Sequence, residues 1–341
     1  MQTSTKSREL RLASRPTGFP GPDNFALAEV ALPEPGPGEV LVRNTVMSVE
    51  PYMRGRMNDT KSYVPPFAIG APLEGSAVGF VVASNDASLP AGTWVQSMLG
   101  WREYALANAK VFQAIDTRLA PASAYLGVLG VPGLTAWAGL KFVGELKSTD
   151  VVFISSAAGG VGSIAGQLVK LAGATAIGSA GGAEKVAYLT TTLGYDAAFD
   201  HHGGNIAAKL AAAAPGGIDL YFDNVGGEQL EAALGALRPF GRVAACGMIS
   251  GYNEEMPGPR NMMQIIGKRL RIQGFIVIDY MKHIPEFLAE VGPELRAGKI
   301  VAPETYFDGI DAAPRAFDAL LRGGTHVGKI LVRLAPEGTK P

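Results

Sequence analysis

The residues most suited to chemistry lie in the run Ala157-Ala158-Gly159-Gly160-Val161-Gly162, between the apolar stretch VVFISSA (151–157) and the segment GSIAGQLVKLAG (162–173). The run is a dinucleotide fingerprint with alanine in place of the first glycine. A pyrophosphate needs backbone that can approach it closely, which Gly159 permits. It also needs a helix packed tightly on its strand, which Gly162 permits. The free N–H groups and dipole at the start of that helix favour an anion. An ordinary tight turn is the bland alternative, but the strand–turn–helix setting favours a dinucleotide.

The second strand of the pattern ends Ser179-Ala180-Gly181-Gly182, with no acid at its tip. NAD enzymes usually place a carboxylate there to hold the ribose 2′-hydroxyl. Lys185 follows in the first turn of the next helix, and at helical spacing Glu184 can point away from it. A lysine and open glycine amides favour a 2′-phosphate, which a carboxylate would repel. NADPH is therefore the expected cofactor, against the alternative of a solvated helix lysine.

Metal chemistry is constrained by composition. One cysteine (Cys246) and four histidines (201, 202, 283 and 326) cannot assemble a thiolate-rich zinc site, so no metal is expected. His201 and His202 read first as solvated loop residues. Cys246, beside a glycine at a strand end with no basic neighbour, reads as a buried, inert thiol. A single cysteine also excludes an internal disulfide and suits a reducing compartment.

The elements that must position these residues fall into two patterns. Residues 1–125 alternate strand-like runs, such as LVRNTVMSV (41–49) and GSAVGFVVAS (75–84), with Pro/Gly turns, which predicts an irregular, mostly β module. From 126 to 300 strand and helix signals alternate. Strands are expected at 151–157, 174–180, 196–200, 218–225, 241–249 and 270–278, the pattern of a doubly wound parallel sheet of α/β class. In the helix over 162–173, Ile164, Leu168 and Leu171 should share the buried face. Six strands complete that sheet, so 301–341 is assigned back to the first domain, making it discontinuous.

The totals fit this reading. A chain of 341 residues suggests two domains, and 47% apolar against 18% charged residues supplies large cores. Thirty basic and 31 acidic residues argue against a nucleic-acid or anionic-membrane partner. The start MQTSTKSREL lacks a signal-peptide core, and no long uncharged apolar run occurs, so a cytoplasmic protein is expected.

With these residues placed, the chain resembles the leukotriene B4 dehydrogenase/prostaglandin reductase and 2-alkenal reductase family, which includes curcumin and double-bond reductases. The resemblance is carried by LASRPTGFPGPDNFALAEVALPEPGPGEVLVRN (12–44), SVEPYMRGRM (48–57), GWREYA (100–105), SAAGGVGS (156–163), EKVAYL (184–189), YFDNVGGE (221–228) and CGMISGYN (246–253). It implies a zinc-free medium-chain dehydrogenase/reductase, with a GroES-like domain beside a Rossmann domain and usually a homodimer. The implied reaction is NADPH-dependent reduction of the C=C bond of α,β-unsaturated aldehydes or ketones.

Carried over by position, Gly159, Gly160, Val161 and Gly162 would cradle the pyrophosphate, Lys185 would meet the 2′-phosphate, and Asn224 would approach the ribose or phosphates. The loop Cys246, Gly247, Met248, Ile249, Ser250 to Tyr252 would border the nicotinamide, and Phe275, Ile276 and Val277 would line it with backbone groups. Two positions depart from the family pattern, where His201 replaces a usual tyrosine and His326 a usual asparagine. Both remain candidates for the cofactor site.

Hydride addition to an enone builds negative charge on the carbonyl oxygen, and without a metal a phenol can donate to it un-ionised. Tyr252 is the first candidate, because its loop lies beyond the carboxyl end of a strand, where such sheets bind ligands. Tyr52 is the second, with Arg54 and Arg56 beside it read as structural. A quinone reductase of the same superfamily and a cofactor-binding protein without turnover are the alternatives.

Overall fold

The computed structural model describes residues 5–324 and 326–341. The chain separates into two compact units. One comprises the chain up to Leu126, Glu304–Gly323 and Ile330–Pro341; the other comprises Gly127–Pro303 and Gly324–Lys329.

The first unit is mostly β. Thr5–Leu12 and Phe25–Leu32 form an antiparallel pair with Thr5 opposite Leu32. A seven-stranded sheet runs Glu304–Asp308, Lys329–Arg333, Glu39–Ser48, Ala77–Ser84, Trp94–Ser97 and Gln113–Ala114, and Tyr104–Asn108 also pairs with Glu39–Ser48. One of its two cores closes on Trp101, which is fully buried, stacked on Phe25 at 6.0 Å and edge-on to Phe317 at 6.1 Å. Phe317 comes from the helix Ala313–Arg322, so residues from both ends of the chain complete this core.

The second unit holds six parallel strands: β1 (Val151–Ile154), β2 (Thr175–Ala180), β3 (Ala197–Asp200), β4 (Ile218–Asp223), β5 (Leu237–Ala245) and β6 (Arg271–Gly274). Their order is β3-β2-β1-β4-β5-β6, the doubly wound arrangement. The connecting helices are α1 (Gly162–Leu171), α2 (Ala183–Thr191), α3 (Ile206–Ala213), α4 (Gly227–Ala236) and α5 (Met263–Lys268). The helix Ile284–Arg296 follows β6. Val152, Phe153 and Ile154 of β1 are wholly buried, as a central strand covered on both faces requires.

Three local expectations shift. On α1, Ile164, Ala165 and Val169 carry the burial while Leu171 is 43% exposed. The close contact is made through small residues: Tyr195 lies against Gly166, and its hydroxyl donates to the Gly162 carbonyl at 2.7 Å. The strand expected over 241–249 leaves the sheet after Ala245, because the amides of Cys246 and Gly247 turn onto the Asp223 carbonyl at 2.8 and 3.0 Å. The strand expected over 270–278 ends at Gly274, and a 3-10 turn follows over Val277–His283. β6 is an edge strand, and all four of its residues are exposed.

Candidate functional site

The turn after β1 builds the first part of the site. Ala157 N–H bonds the Ser179 carbonyl of β2 at 2.9 Å, and Gly159 N–H bonds the Ser156 carbonyl at 2.9 Å. The N–H groups of Gly160, Val161 and Gly162 meet no acceptor among the described residues. They stand at the start of a ten-residue helix, where the dipole favours an anion. Gly162 is obligatory for packing, since a Cβ there would stand 2.3 Å from the Ser156 carbonyl oxygen. A second strand of chain lies on this turn, for Gly328 N–H donates to the Ala158 carbonyl at 2.7 Å and Gly328 bridges Gly159. Sequence reasoning singled out neither contact.

Beyond the tip of β2 the groups are basic. Gly182 has φ +91° with open space where a Cβ would be, and α2 brings in half-buried Lys185. Burial lowers the Lys185 pKa. His201 and His202 follow β3, their ring centroids 4.5 Å apart and their Cε1 atoms 3.2 and 2.7 Å from where a Gly181 Cβ would sit. The buried Nδ1 of His201 has no partner. Burial holds the His201 ring below its ordinary range, with His202 adding to the effect. His326 is held down to about 4 by burial and then by Lys185. The Asp200 carboxylate accepts from the Gly182 amide at the β2 tip and from the His202 amide at 2.9 Å, and lies 3.1 Å from His202 Nδ1. Open amides, an orphaned imidazole nitrogen and a lysine fit a dinucleotide carrying an extra phosphate.

Asn224 is held from below by a buried network. Its amide N–H donates to Ser155 Oγ at 2.9 Å, and its Nδ2 donates to the Ser155 carbonyl at 2.8 Å. Asp223 Oδ1 accepts from the Tyr221 hydroxyl at 2.7 Å and from the amides of Gly226 and Val225 at 2.7 and 3.0 Å. Burial pushes the Asp223 carboxyl upward against those donors. Cys246 sits beside it, its thiol pushed up to about 12 by burial and then by Asp223, which suits an inert thiol. Sequence reading missed Ser155, Tyr221 and Asp223, although the strings VVFISS and YFDN contain them.

The loop after β5 crosses this floor. A Cβ on Gly247 would stand 3.4 Å from the Asn224 carbonyl oxygen and 3.5 Å from the Tyr252 hydroxyl, so Gly247 is where the two converge. Ser250 Oγ donates to the Val225 carbonyl, while Met248 and Ser250 are exposed and Ile249 half-buried. Met248, Tyr252 and Met256 line an open cavity of about 560 Å³ with Glu254 and Glu255 at its wall. Phe275, Ile276 and Val277 are half-buried. The Phe275 ring packs toward Gly139, where a Cβ would stand 2.5 Å from it. Gly139 opens a π-helical turn over Gly139–Val143, a local irregularity frequent at functional sites.

In the other unit, Tyr52 begins the short helix Tyr52–Arg56. Its hydroxyl is buried without a partner at hydrogen-bonding distance. Burial, and then Glu50, push its pKa well above the usual phenol value, so it stays protonated. Arg56 pairs with Glu74 at 2.8 Å over the Phe67 ring, and Arg54 donates to the Gly18 carbonyl and to Asn58. Both arginines brace the fold around Tyr52. Trp101 belongs to the core.

A 3-2-1-4-5-6 parallel sheet, with a glycine turn and open helix amides after its first strand, defines a dinucleotide-binding oxidoreductase fold. The comparisons with known proteins agree. Residues 8–115 match the family described as N-terminal domain of oxidoreductase, and residues 160–291 match the family described as zinc-binding dehydrogenase. The NADPH-dependent curcumin reductase of Escherichia coli (strain K12) is 41% identical, over 98% of this chain and 99% of its own. The 2-alkenal reductase (NADP(+)-dependent) of Nicotiana tabacum is 38% identical, over 99% and 100%. The crystal structure of CurA in complex with NADPH from Vibrio vulnificus superposes with a TM-score of 0.91 at 40% identity, covering 96% of this chain and 99% of that one.

The chain belongs to the zinc-independent medium-chain dehydrogenase/reductase family of the curcumin, 2-alkenal and prostaglandin reductases. Among the described residues, no group of three or more His, Cys, Asp or Glu could hold a metal ion. No helix among them is long and apolar enough to cross a membrane.

Proposed function

We propose that this protein reduces the C=C bond of α,β-unsaturated aldehydes or ketones with NADPH. The observation that carries the reading is a full-length relationship to reductases named for curcumin and 2-alkenals. It is joined to an open fingerprint turn with Lys185 following Ser179-Ala180-Gly181-Gly182, a β2 end with no acid of its own. Gly159, Gly160, Val161 and Gly162 hold the pyrophosphate, Lys185 the 2′-phosphate, and His201 the adenosine side. His326 would donate to the cofactor carboxamide. Asn224, the 246–252 loop and the Phe275–Val277 backbone hold the ribose and nicotinamide. When bound, the cofactor supplies the hydride.

The protein's own contribution is placement and charge stabilisation. Tyr252 is the first candidate to donate to the carbonyl oxygen, where negative charge develops as the β-carbon is reduced, and Tyr52 is the second. A phenol held un-ionised by burial is suited to that work, and solvent can protonate the α-carbon. In this reading the unit of 1–126, 304–323 and 330–341 is the substrate-binding domain and that of 127–303 with 324–329 the NADPH domain, so the expected return of 301–341 to the first domain excludes 301–303 and 324–329. The protein acts as a cytoplasmic homodimer. NADPH oxidation measured across alkenals, enones and quinones, with NADH as control, tests the proposal. Turnover on quinones alone would favour the quinone reductase reading, which the names of these relatives support less, and no turnover would leave a cofactor-binding protein.

A further inference from the structure

Asp223 ends β4, and its carboxylate folds back over the turn that carries Asn224. Oδ1 accepts from the amides of Val225 at 3.0 Å and Gly226 at 2.7 Å, two and three residues further on, which makes an Asx turn with Asn224 at its apex. The Tyr221 hydroxyl donates to the same oxygen at 2.7 Å, and Ser155 Oγ stands 3.4 Å from it. Oδ2 is buried without a partner. A wholly buried carboxylate with one bare oxygen is costly for stability. All of its donors converge on the oxygen that shapes the turn.

The main chain of the same turn ties down the loop after β5. The Asp223 carbonyl accepts from the Cys246 and Gly247 amides at 2.8 and 3.0 Å. The Asn224 carbonyl accepts from the Ile249 amide at 3.4 Å, and the Val225 carbonyl accepts from the Ser250 amide at 3.3 Å and from the Ser250 hydroxyl. The loop that leads to Tyr252 therefore hangs, bond by bond, on the turn that Asp223 shapes. Ser155 holds Asn224 from the side of β1: its Oγ accepts from the Asn224 amide at 2.9 Å, and its carbonyl accepts from Asn224 Nδ2 at 2.8 Å. A carbonyl can only accept, so Nδ2 faces Ser155 and the Asn224 side-chain oxygen is turned away from it. The β2 tip, Lys185 and His201 take no part in these bonds.

We infer that Asp223 is a positioning residue for the nicotinamide half of the cofactor site, fixing Asn224 and the 246–252 loop through its acceptor oxygen. The inference rests on the NADPH reading above. Asp223 is fully buried, so it acts through these neighbours and touches no ligand itself. An amide oxygen in the same place does the same work. A methyl group instead leaves the Val225 and Gly226 amides without an acceptor, and the turn rearranges to satisfy them. Asn224 and the loop then move together, while the adenosine side keeps its own supports.

The test is calorimetric titration of the full chain with NADP⁺ and, separately, with adenosine 2′,5′-bisphosphate, which carries the 2′-phosphate and lacks the nicotinamide and its ribose. Asp223→Ala is expected to weaken NADP⁺ about five- to tenfold, the loss of one ribose hydrogen bond, and to leave the bisphosphate within about twofold of wild type. Asp223→Asn keeps an acceptor oxygen over the turn and should restore NADP⁺ to within about twofold. A residue that only stabilised the fold would lower the melting midpoint and leave both affinities unchanged below it, or weaken both ligands alike. Either of those results overturns the inference and leaves the cofactor reading intact. A loss in Asp223→Asn as large as that in Asp223→Ala also overturns it. Failure of the wild type to bind NADP⁺ or the bisphosphate overturns both the inference and the cofactor reading. Should Asp223→Ala not fold, Asp223→Ser, whose shorter side chain cannot reach both amides, replaces it with the same split between ligands expected.

Discussion

The amide of Gly328 donates to the carbonyl of Ala158 at 2.7 Å, closing the fingerprint turn with a residue from near the end of the chain. This bond sets the segment carrying Lys329 beside Gly160, on the turn whose Gly160, Val161 and Gly162 amides meet no acceptor among the described residues. It ties the integrity of the cofactor site to a glycine far from the motif.

Gly328→Ala should therefore be severe. The new Cβ would meet backbone at 1.9 Å, in a conformation with φ +73°. Overpacking together with the strained conformation should cost about 2–4 kcal/mol. A lowered thermal midpoint and loss of NADPH binding are the expected result. Gly324→Ala is the control, since its Cβ would lie 3.8 Å from His326 Nδ1 and it has no positive φ. Its melting should stay close to wild type, and equal damage from both substitutions would contradict the argument.

Lys185→Ala should separate the two nicotinamide cofactors. A charge-assisted contact to phosphate contributes roughly 1.5–3 kcal/mol, so NADPH should weaken by about ten- to a hundredfold. The KM for NADH should barely move, and added salt should narrow the remaining preference. Equal losses for both cofactors would place recognition of the 2′-phosphate elsewhere.

Tyr52→Phe and Tyr252→Phe should each lower kcat with NADPH affinity little changed, because the donor acts on charge that develops in the reaction. Removing a donor of that kind should cost roughly a hundred- to a thousandfold. Burial raises the Tyr52 pKa above its ordinary value of 10, so the phenol keeps its proton throughout the neutral range. The pH–rate profile should accordingly show no loss from Tyr52 between about pH 6 and 9. Unchanged kcat in both variants would remove the phenols from the mechanism.

The edge strand β6 predicts association. Ile272, Ile266 and Met263 are 39%, 70% and 74% exposed on and beside it, and an open apolar edge is a template for pairing. Two-fold pairing gives a closed dimer. Sedimentation at micromolar concentration should show a dimer, and Ile272→Asp should shift it toward monomer. A wild-type monomer would count against this interface.

Activity should survive chelation. With one cysteine in the chain and no cluster of metal-binding groups among the described residues, turnover in the presence of a strong chelator should equal that in plain buffer. Loss of activity, restored by zinc, would overturn the phenol-based mechanism.

What the sequence by itself determined was local in character. Strand–turn–helix order around Gly159–Gly162, the missing acid after Ala180, the nearby Lys185 and the six-strand alternation are all readable from neighbours a few positions apart. Turn chemistry and periodicity act over that range. The resemblance to reductases rests on several such strings in order. Tertiary structure decided everything that depends on which distant backbones meet. The strand order carries Ser155 under Asn224 and folds Asp223 into a buried acceptor for Tyr221. The returning tail sets Gly328 on Ala158 and Lys329 beside Gly160. Even helix burial followed this rule: Tyr195 claims the close face of α1 at Gly166 and leaves Leu171 outside. A hydrophobic period can say that a face is buried, but only the partner's shape selects which residues form it.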